Sequence, residues 1–165
     1  MNAGARLAQA PSLLFLHADT ILPEGADSQI TAALADPATA WGRFDVRIDG
    51  RHRMLAVVAA TMNLRSRMSG IATGDQAIFV RREAFEQVGG FPDIALMEDI
   101  ALSRALKRLS RPACLRALVT TSGRRWEKHG VFRTILLMWR LRLAFFFGAD
   151  PARLAVAYGY APRPK

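Results

Sequence analysis

Short apolar runs of strand length alternate with stretches of helical character along the whole chain. That alternation predicts an α/β fold, with helices laid against a central sheet. Helices are expected over residues 2–10, 24–35 (started by Pro23), 51–68, 82–88, 97–109, 131–147 and 149–158. Strands are expected over 12–16, 41–48, 76–81 and 116–121. In the second strand Phe44, Val46 and Ile48 alternate with polar residues, which predicts a half-exposed strand. Gly89 and Gly90 stop the helix before them. Residues 70–74, 91–96 and 123–129 read as loops, and the Pro-rich stretch 161–165 as a frayed tail. No repeat, low-complexity tract or linker divides the 165 residues, so a single domain is expected.

Composition narrows the partners. Lys and Arg number 23 against 14 Asp and Glu, a net charge of +9 that favours anions such as nucleoside diphosphates, anionic lipid or nucleic acid. The basic residues are spread along the chain without an RNA-binding signature, which argues against nucleic acid. Cys114 is the only cysteine, so neither an intrachain disulfide nor a cysteine-built zinc site can form, and a cytoplasmic setting is expected. Residues 1–11 lack the apolar core of a signal peptide. Residues 131–147 are strongly apolar but too short to span a bilayer comfortably, and Arg133, Arg140 and Arg142 interrupt them. At helical spacing Arg133 and Arg140 share a face with His129, and Arg142 falls opposite. The segment is either a packed helix with snorkelling arginines or a helix at an anionic membrane surface, such as the inner face of the plasma membrane.

Several polar groups could carry chemistry. Asp19 follows the carboxyl end of the first apolar strand, where open α/β sheets bind ligands. It could hold a hard divalent cation whose shell substrate phosphates complete, or simply cap a turn. Glu98 and Asp99 open a helix; they complement its dipole, or one of them is a general base for a hydroxyl. Gly74, Asp75 and Gln76 precede a strand and could meet sugar hydroxyls, or form an ordinary turn. Arg124 and Arg125 suit diphosphate, and Trp126 offers a flat face to a sugar ring; all three could equally belong to a basic surface.

The order of these elements carries a resemblance. LLFLHADT, then GDQAIFVRREAFEQVGGFP, then MEDIALSRAL, then TSGRRW resembles the inverting family 2 glycosyltransferases, and within them a bacterial subgroup with the LLFLHADT strand. The likeness runs over residues 2–158 and is most specific over 74–108. It implies a GT-A fold, the Rossmann-like nucleotide-diphospho-sugar transferase fold, and metal-dependent transfer of a sugar from a nucleotide-sugar donor to a hydroxyl acceptor with inversion. By position, Asp19 matches the metal-binding second acid of the family's Asp-x-Asp motif, and His17 replaces the first. Asp99 of the Glu98-Asp99 pair matches the base, and the implied cofactor is Mn²⁺ or Mg²⁺. Arg125-Trp126 resembles the Arg-Trp of a Gln-x-x-Arg-Trp motif whose glutamine place is Ser122, so polymer synthesis is not implied. Donor contacts are expected from His17, Asp19, Gly74, Asp75, Arg124, Arg125 and Trp126.

The family places a base-binding unit of strands and helices before the metal motif, whereas eighteen residues precede Asp19 here. The expectation is an N-terminally truncated catalytic domain, with residues 131–158 as its C-terminal apolar and basic helices, inactive as a fragment. Its sheet would be parallel, leaving residues 12–16 unpaired on one side. The rival readings are a non-enzymatic basic fragment that binds anionic lipid or nucleic acid, a poorly folding remnant, and a nucleotidyltransferase; the Glu-Asp and Arg-Trp elements argue against the last.

Overall fold

A computed structural model describes residues 1–161. The elements in chain order are α1 (Asn2–Leu7), β1 (Ser12–Phe15), β2 (Thr20–Ile21), α2 (Ala26–Ala35), β3 (Trp41–Asp49), α3 (Met54–Ser69), a 3-10 turn (Gly74–Gln76), β4 (Ile78–Arg81), α4 (Arg82–Gln87), α5 (Glu98–Leu106), β5 (Ala113–Ser122), α6 (Arg124–His129), α7 (Val131–Phe146) and α8 (Pro151–Tyr158). The expected helices and strands are present with ends shifted by a few residues. The short strand β2 and the helix α6 are additions, and α6 replaces the loop expected over 123–129. The expected tail lies, apart from Ala161, outside the described residues.

The five strands form one sheet in the order β1-β4-β3-β5-β2. The expected parallel sheet is corrected: only β3 and β5 run parallel, and the other three pairings are antiparallel. β1 is an edge strand paired to β4 alone, as the sequence reading anticipates for residues 12–16.

Local chemistry sets the helix ends. α3 stops at Gly70, which takes the left-handed conformation. α2 ends at Asp36 because Pro37 disfavours helical backbone before it. α8 starts with Pro151 at its first position, and the Asp150 side chain accepts a 2.9 Å hydrogen bond from the Ala152 amide.

Apolar clusters lie on both faces of the sheet. On one, α2 and α3 pack Ile30, Leu34, Leu55 and Val58 against Phe44, Val46 and Val119. On the other, Leu13, Ile78, Val80, Phe85, Phe91, Leu102 and Leu106 surround Trp41. A third cluster of Met97, Ile100, Leu141 and Leu154 fastens α7 and α8 to α5.

β3 is less exposed than its alternation predicts. Trp41 and Arg43, on the face expected to be polar, are fully buried. Arg43 is tolerated there because its guanidinium meets Asp45 and donates to the Asn63 carbonyl. β4 pairs with β3 only at Trp41 and Gly42. Beyond that point Asn63 of α3 stands in for a strand partner. Its Oδ1 accepts from the Val46 amide at 2.8 Å, and its Nδ2 donates to the Val46 carbonyl at 3.0 Å. Gln76 donates to the same Oδ1 at 3.3 Å.

Asn63→Ala should therefore leave both polar groups of Val46 unpaired in a half-buried setting. The expected cost is about 2–4 kcal/mol, from about 1–3 kcal/mol per orphaned group. Urea denaturation at unchanged m-value measures it; a loss under about 0.5 kcal/mol would mean that water replaces the amide.

Candidate functional site

A cleft of about 1010 Å³ opens between α3, the 3-10 turn, the N-terminus of α5, the end of β5 and the helices α7 and α8. It gathers residues distant in sequence: His17, Asp19, Gly74, Asp75, Glu98, Asp99, Arg125 and Trp126 all line it. Arg124 does not. It is exposed, and its amide and Nε donate to the Ser122 hydroxyl at 3.3 and 3.0 Å.

Asp99 sits at the N-terminus of α5 with both carboxylate oxygens engaged. Oδ2 accepts from the Gly74 amide at 2.9 Å and Oδ1 from its neighbour Ile100 at 2.7 Å. Burial pushes its pKa upward, and Glu98 adds to this. The two amide bonds and the Arg142 charge pull the other way without cancelling the rise. A carboxylate tuned upward while still lining a cleft suits proton acceptance near neutral pH. Met97, just before the acidic pair, has φ 70°, a left-handed conformation unusual for a non-glycine residue. Its side chain is buried against Ile100, Leu141 and Leu154, which holds the strained backbone in place.

His17 and Asp75 face each other across the cleft floor, with Nδ1 and Oδ1 3.5 Å apart. Asp75 also accepts from the Thr121 hydroxyl at 3.5 Å, and Thr121 in turn accepts from Thr20 at 3.4 Å. The turn that carries Asp75 is braced by Gln76, whose Oε1 accepts from the Thr73 amide at 3.2 Å. Gln76 is thus buried scaffold, turned away from any ligand. Gly74 has a steric duty: a Cβ there would come within 2.2 Å of His17 Nε2, so only glycine lets the ring lie flat against the turn. The Asp75 hydrogen bond raises the His17 pKa; burial opposes it, and the charges of Asp75, Asp99 and Asp19 support it.

Asp19 is exposed at the cleft with no protein partner. Among the described residues no group of three or more His, Cys, Asp or Glu side chains converges to hold a metal. A lone carboxylate fits a hard cation only when substrate phosphates complete the shell. Arg125 lies over the Tyr158 ring, 3.6 Å from its centroid, and donates to the Tyr158 carbonyl. Trp126 packs partly against the core.

Two cleft residues escape the sequence reading. Arg65 of α3 and Arg142 of α7 both line the cleft. Each sits in an apolar helix where an arginine reads as a snorkelling surface residue. Arg142, expected opposite Arg133 and Arg140, does lie away from them, but it turns inward towards Asp99.

The chain matches no protein-family model and no curated protein sequence. It does match a solved structure, the mannosyltransferase PcManGT from Pyrobaculum calidifontis in complex with GDP-mannose and Mn²⁺. The TM-score is 0.50 and the identity 20%, over 96% of this chain and 47% of that one. The chain thus shares a glycosyltransferase's fold. It spans about half the length of the structure it matches.

Titration of His17 by NMR should give a pKa above the ordinary histidine range, and Asp75→Asn should bring it down. Because the folded pKa is raised, the contact stabilises the protein below the ordinary value of about 6.5 and fades as pH rises through the raised one. Gly74→Ala should displace the ring and lower the pKa as well. An unchanged pKa in both variants would show that Asp75 does not govern this imidazole.

Proposed function

We propose that this cleft transfers a sugar from a nucleoside-diphosphate sugar to a hydroxyl acceptor, with inversion at the anomeric carbon. The observation that carries the reading is the convergence of Asp19, His17, Asp75 and Asp99 on one cleft, in a chain that shares a glycosyltransferase's fold. Asp99 takes the acceptor's hydroxyl proton as that oxygen bonds to the anomeric carbon. The bond from that carbon to the diphosphate breaks, and the diphosphate leaves with the electron pair. The Gly74 and Ile100 amides hold the Asp99 carboxylate in place for this. Asp19, with phosphate oxygens, would hold Mn²⁺ or Mg²⁺, which supplies Lewis-acid neutralisation of the leaving group. The solved relative in fold carries Mn²⁺ and GDP-mannose, which supports a cation and a nucleotide-sugar here. Arg125 is the basic residue of the Arg-Trp element that can reach phosphate from within the cleft.

The test is nucleoside diphosphate release from UDP-, GDP- and dTDP-sugars with Mn²⁺. Asp99→Asn should cut turnover by roughly 10²- to 10⁴-fold with donor binding little changed. Glu98→Gln should cost less, and Asp19→Ala should abolish metal-dependent turnover while leaving the fold intact. The acid limb of the pH–rate profile should lie above the usual carboxylate range and vanish in Asp99→Asn. Full turnover in Asp99→Asn would sink the assignment of the base.

We also propose that α7 rests on an anionic membrane, at the cytoplasmic face of the plasma membrane. Its buried side carries Val131, Thr134 and Leu141. Its outer side exposes Phe132, Leu136, Trp139, Leu143 and Phe146 at helical spacing, with Trp139 70% exposed. The exposed Arg133 and Arg140 border this stripe, and Val57, Leu64 and Met68 of α3 expose more apolar surface at the cleft rim. An apolar stripe edged by arginines supports an interfacial helix over an ordinary packed one. No helix among the described residues is long and apolar enough to cross a membrane. Co-sedimentation should favour phosphatidylserine vesicles over phosphatidylcholine ones. Trp139→Glu should abolish binding, and Arg133→Gln with Arg140→Gln should weaken it by about fivefold per charge, from about 1 kcal/mol each. Vesicle binding that is absent while the protein dimerises through α7 would overturn the proposal.

A further inference from the structure

Most inward-turned arginines in this protein have partners. Arg43 meets Asp45 and the Asn63 carbonyl, Arg81 donates to the carbonyls of Leu34, Asp36 and Thr39, and Arg82 donates to those of Ala5, Ala8 and Ala10. Arg65 and Arg142 are exceptions. Ion pairs among the described residues are made by His17, Arg43, Arg67 and Arg82, and neither of these two has one. Nε and Nη2 of Arg65, like Nε of Arg43, are shut off from solvent and have no hydrogen-bond partner. Buried donors on a charged group are costly to leave unpaired.

The two guanidiniums sit on packed helices, α3 and α7, and line the same cleft. They repel each other: burial first, then Arg142, brings the Arg65 pKa down to about 10, while Asp99 acts in the opposite sense. The charges that sustain Arg142 are Asp99, then Asp75 and Tyr158. Asp99 is the carboxylate whose charge both guanidiniums feel, which puts the pair beside the place where the acceptor hydroxyl would stand.

We infer that Arg65 and Arg142 form a two-guanidinium site for an oxyanion, a phosphate or carboxylate borne by the acceptor, held beside Asp99. Each guanidinium presents several N–H donors in a planar fork, which suits a tetrahedral or planar oxyanion. An anion in the cleft relieves the repulsion that Arg65 feels from Arg142 and gives the pair the counter-charge that no ion pair provides. The site deepens the transfer reading by naming the acceptor's chemistry, but oxyanion binding does not itself require transfer. The same chemistry could come from the donor's diphosphate, and the experiment separates the two sources.

Calorimetry with inorganic phosphate in EDTA should show binding to the wild-type chain. Arg65→Gln and Arg142→Gln should each weaken it by about ten- to hundredfold, the scale of a charge-assisted hydrogen bond. The exposed Arg108→Gln should leave it unchanged. In phosphate-free buffer both cleft variants should melt no lower than wild type, since each removes a half-desolvated guanidinium that no direct ion pair holds. Phosphate should raise the melting temperature of the wild type alone. In a second arm, nucleoside diphosphate with Mn²⁺ should bind the variants as it binds wild type. Absence of phosphate binding by wild type, or variants that melt lower without phosphate, would overturn the site. Loss of nucleoside diphosphate binding in the variants would overturn the acceptor assignment and give the pair to the donor. Phosphate bound through the pair by a chain that turns over no nucleotide-sugar would leave the site standing and remove the transfer reading.

Discussion

The amide of Asn63 is the joint on which the cleft depends. β3 loses β4 as a neighbour after Gly42, and the open edge on that side would otherwise leave Val46 with two unpaired polar groups. Asn63 closes that edge from a helix, and its Oδ1 also receives the Gln76 side chain. Gln76 fixes the turn at Thr73, and the next amide, Gly74, donates to Asp99. A line of hydrogen bonds therefore runs from the central strand to the carboxylate at the head of α5. Because the edge is closed by a side chain, no further strand is needed there.

Electrostatics divides that cleft. Near Asp19 and His17 the carboxylates dominate, and His17 is pulled towards its charged form by Asp75. Near Asp99 burial is the largest influence and raises the acid, Glu98 adds to the rise, and the Arg142 charge opposes it.

Much of this was legible in the sequence for definite reasons. The strand that delivers His17 and Asp19, the turn at Gly74 and the acidic helix start at Glu98 are local signals, each written within a few consecutive residues. The α/β class followed from alternation. What escaped depended on contacts between segments far apart in sequence. The antiparallel pairing of β1 with β4 joins residues 12–15 to 78–81, and nothing local announces it. The full burial of Arg43 needs Asp45 and Asn63 around it. α6 is hard to see locally because five polar residues and a single tryptophan after a glycine carry no apolar period. Arg65 and Arg142 look like ordinary solvated arginines until α3 and α7 are brought side by side.

The apolar rim has an optical consequence. The chain holds three tryptophans in three distinct surroundings. Trp41 is sealed in the core, Trp126 is half-buried at the cleft wall, and Trp139 is exposed on α7 at the cleft rim. Indole emission shifts to the red in water and to the blue in hydrocarbon. The native fluorescence is thus a superposition of one buried reference, one reporter at the cleft wall and one at the rim that senses both the cleft and whatever covers the helix, and replacing one indole at a time would let each be recorded without an added dye.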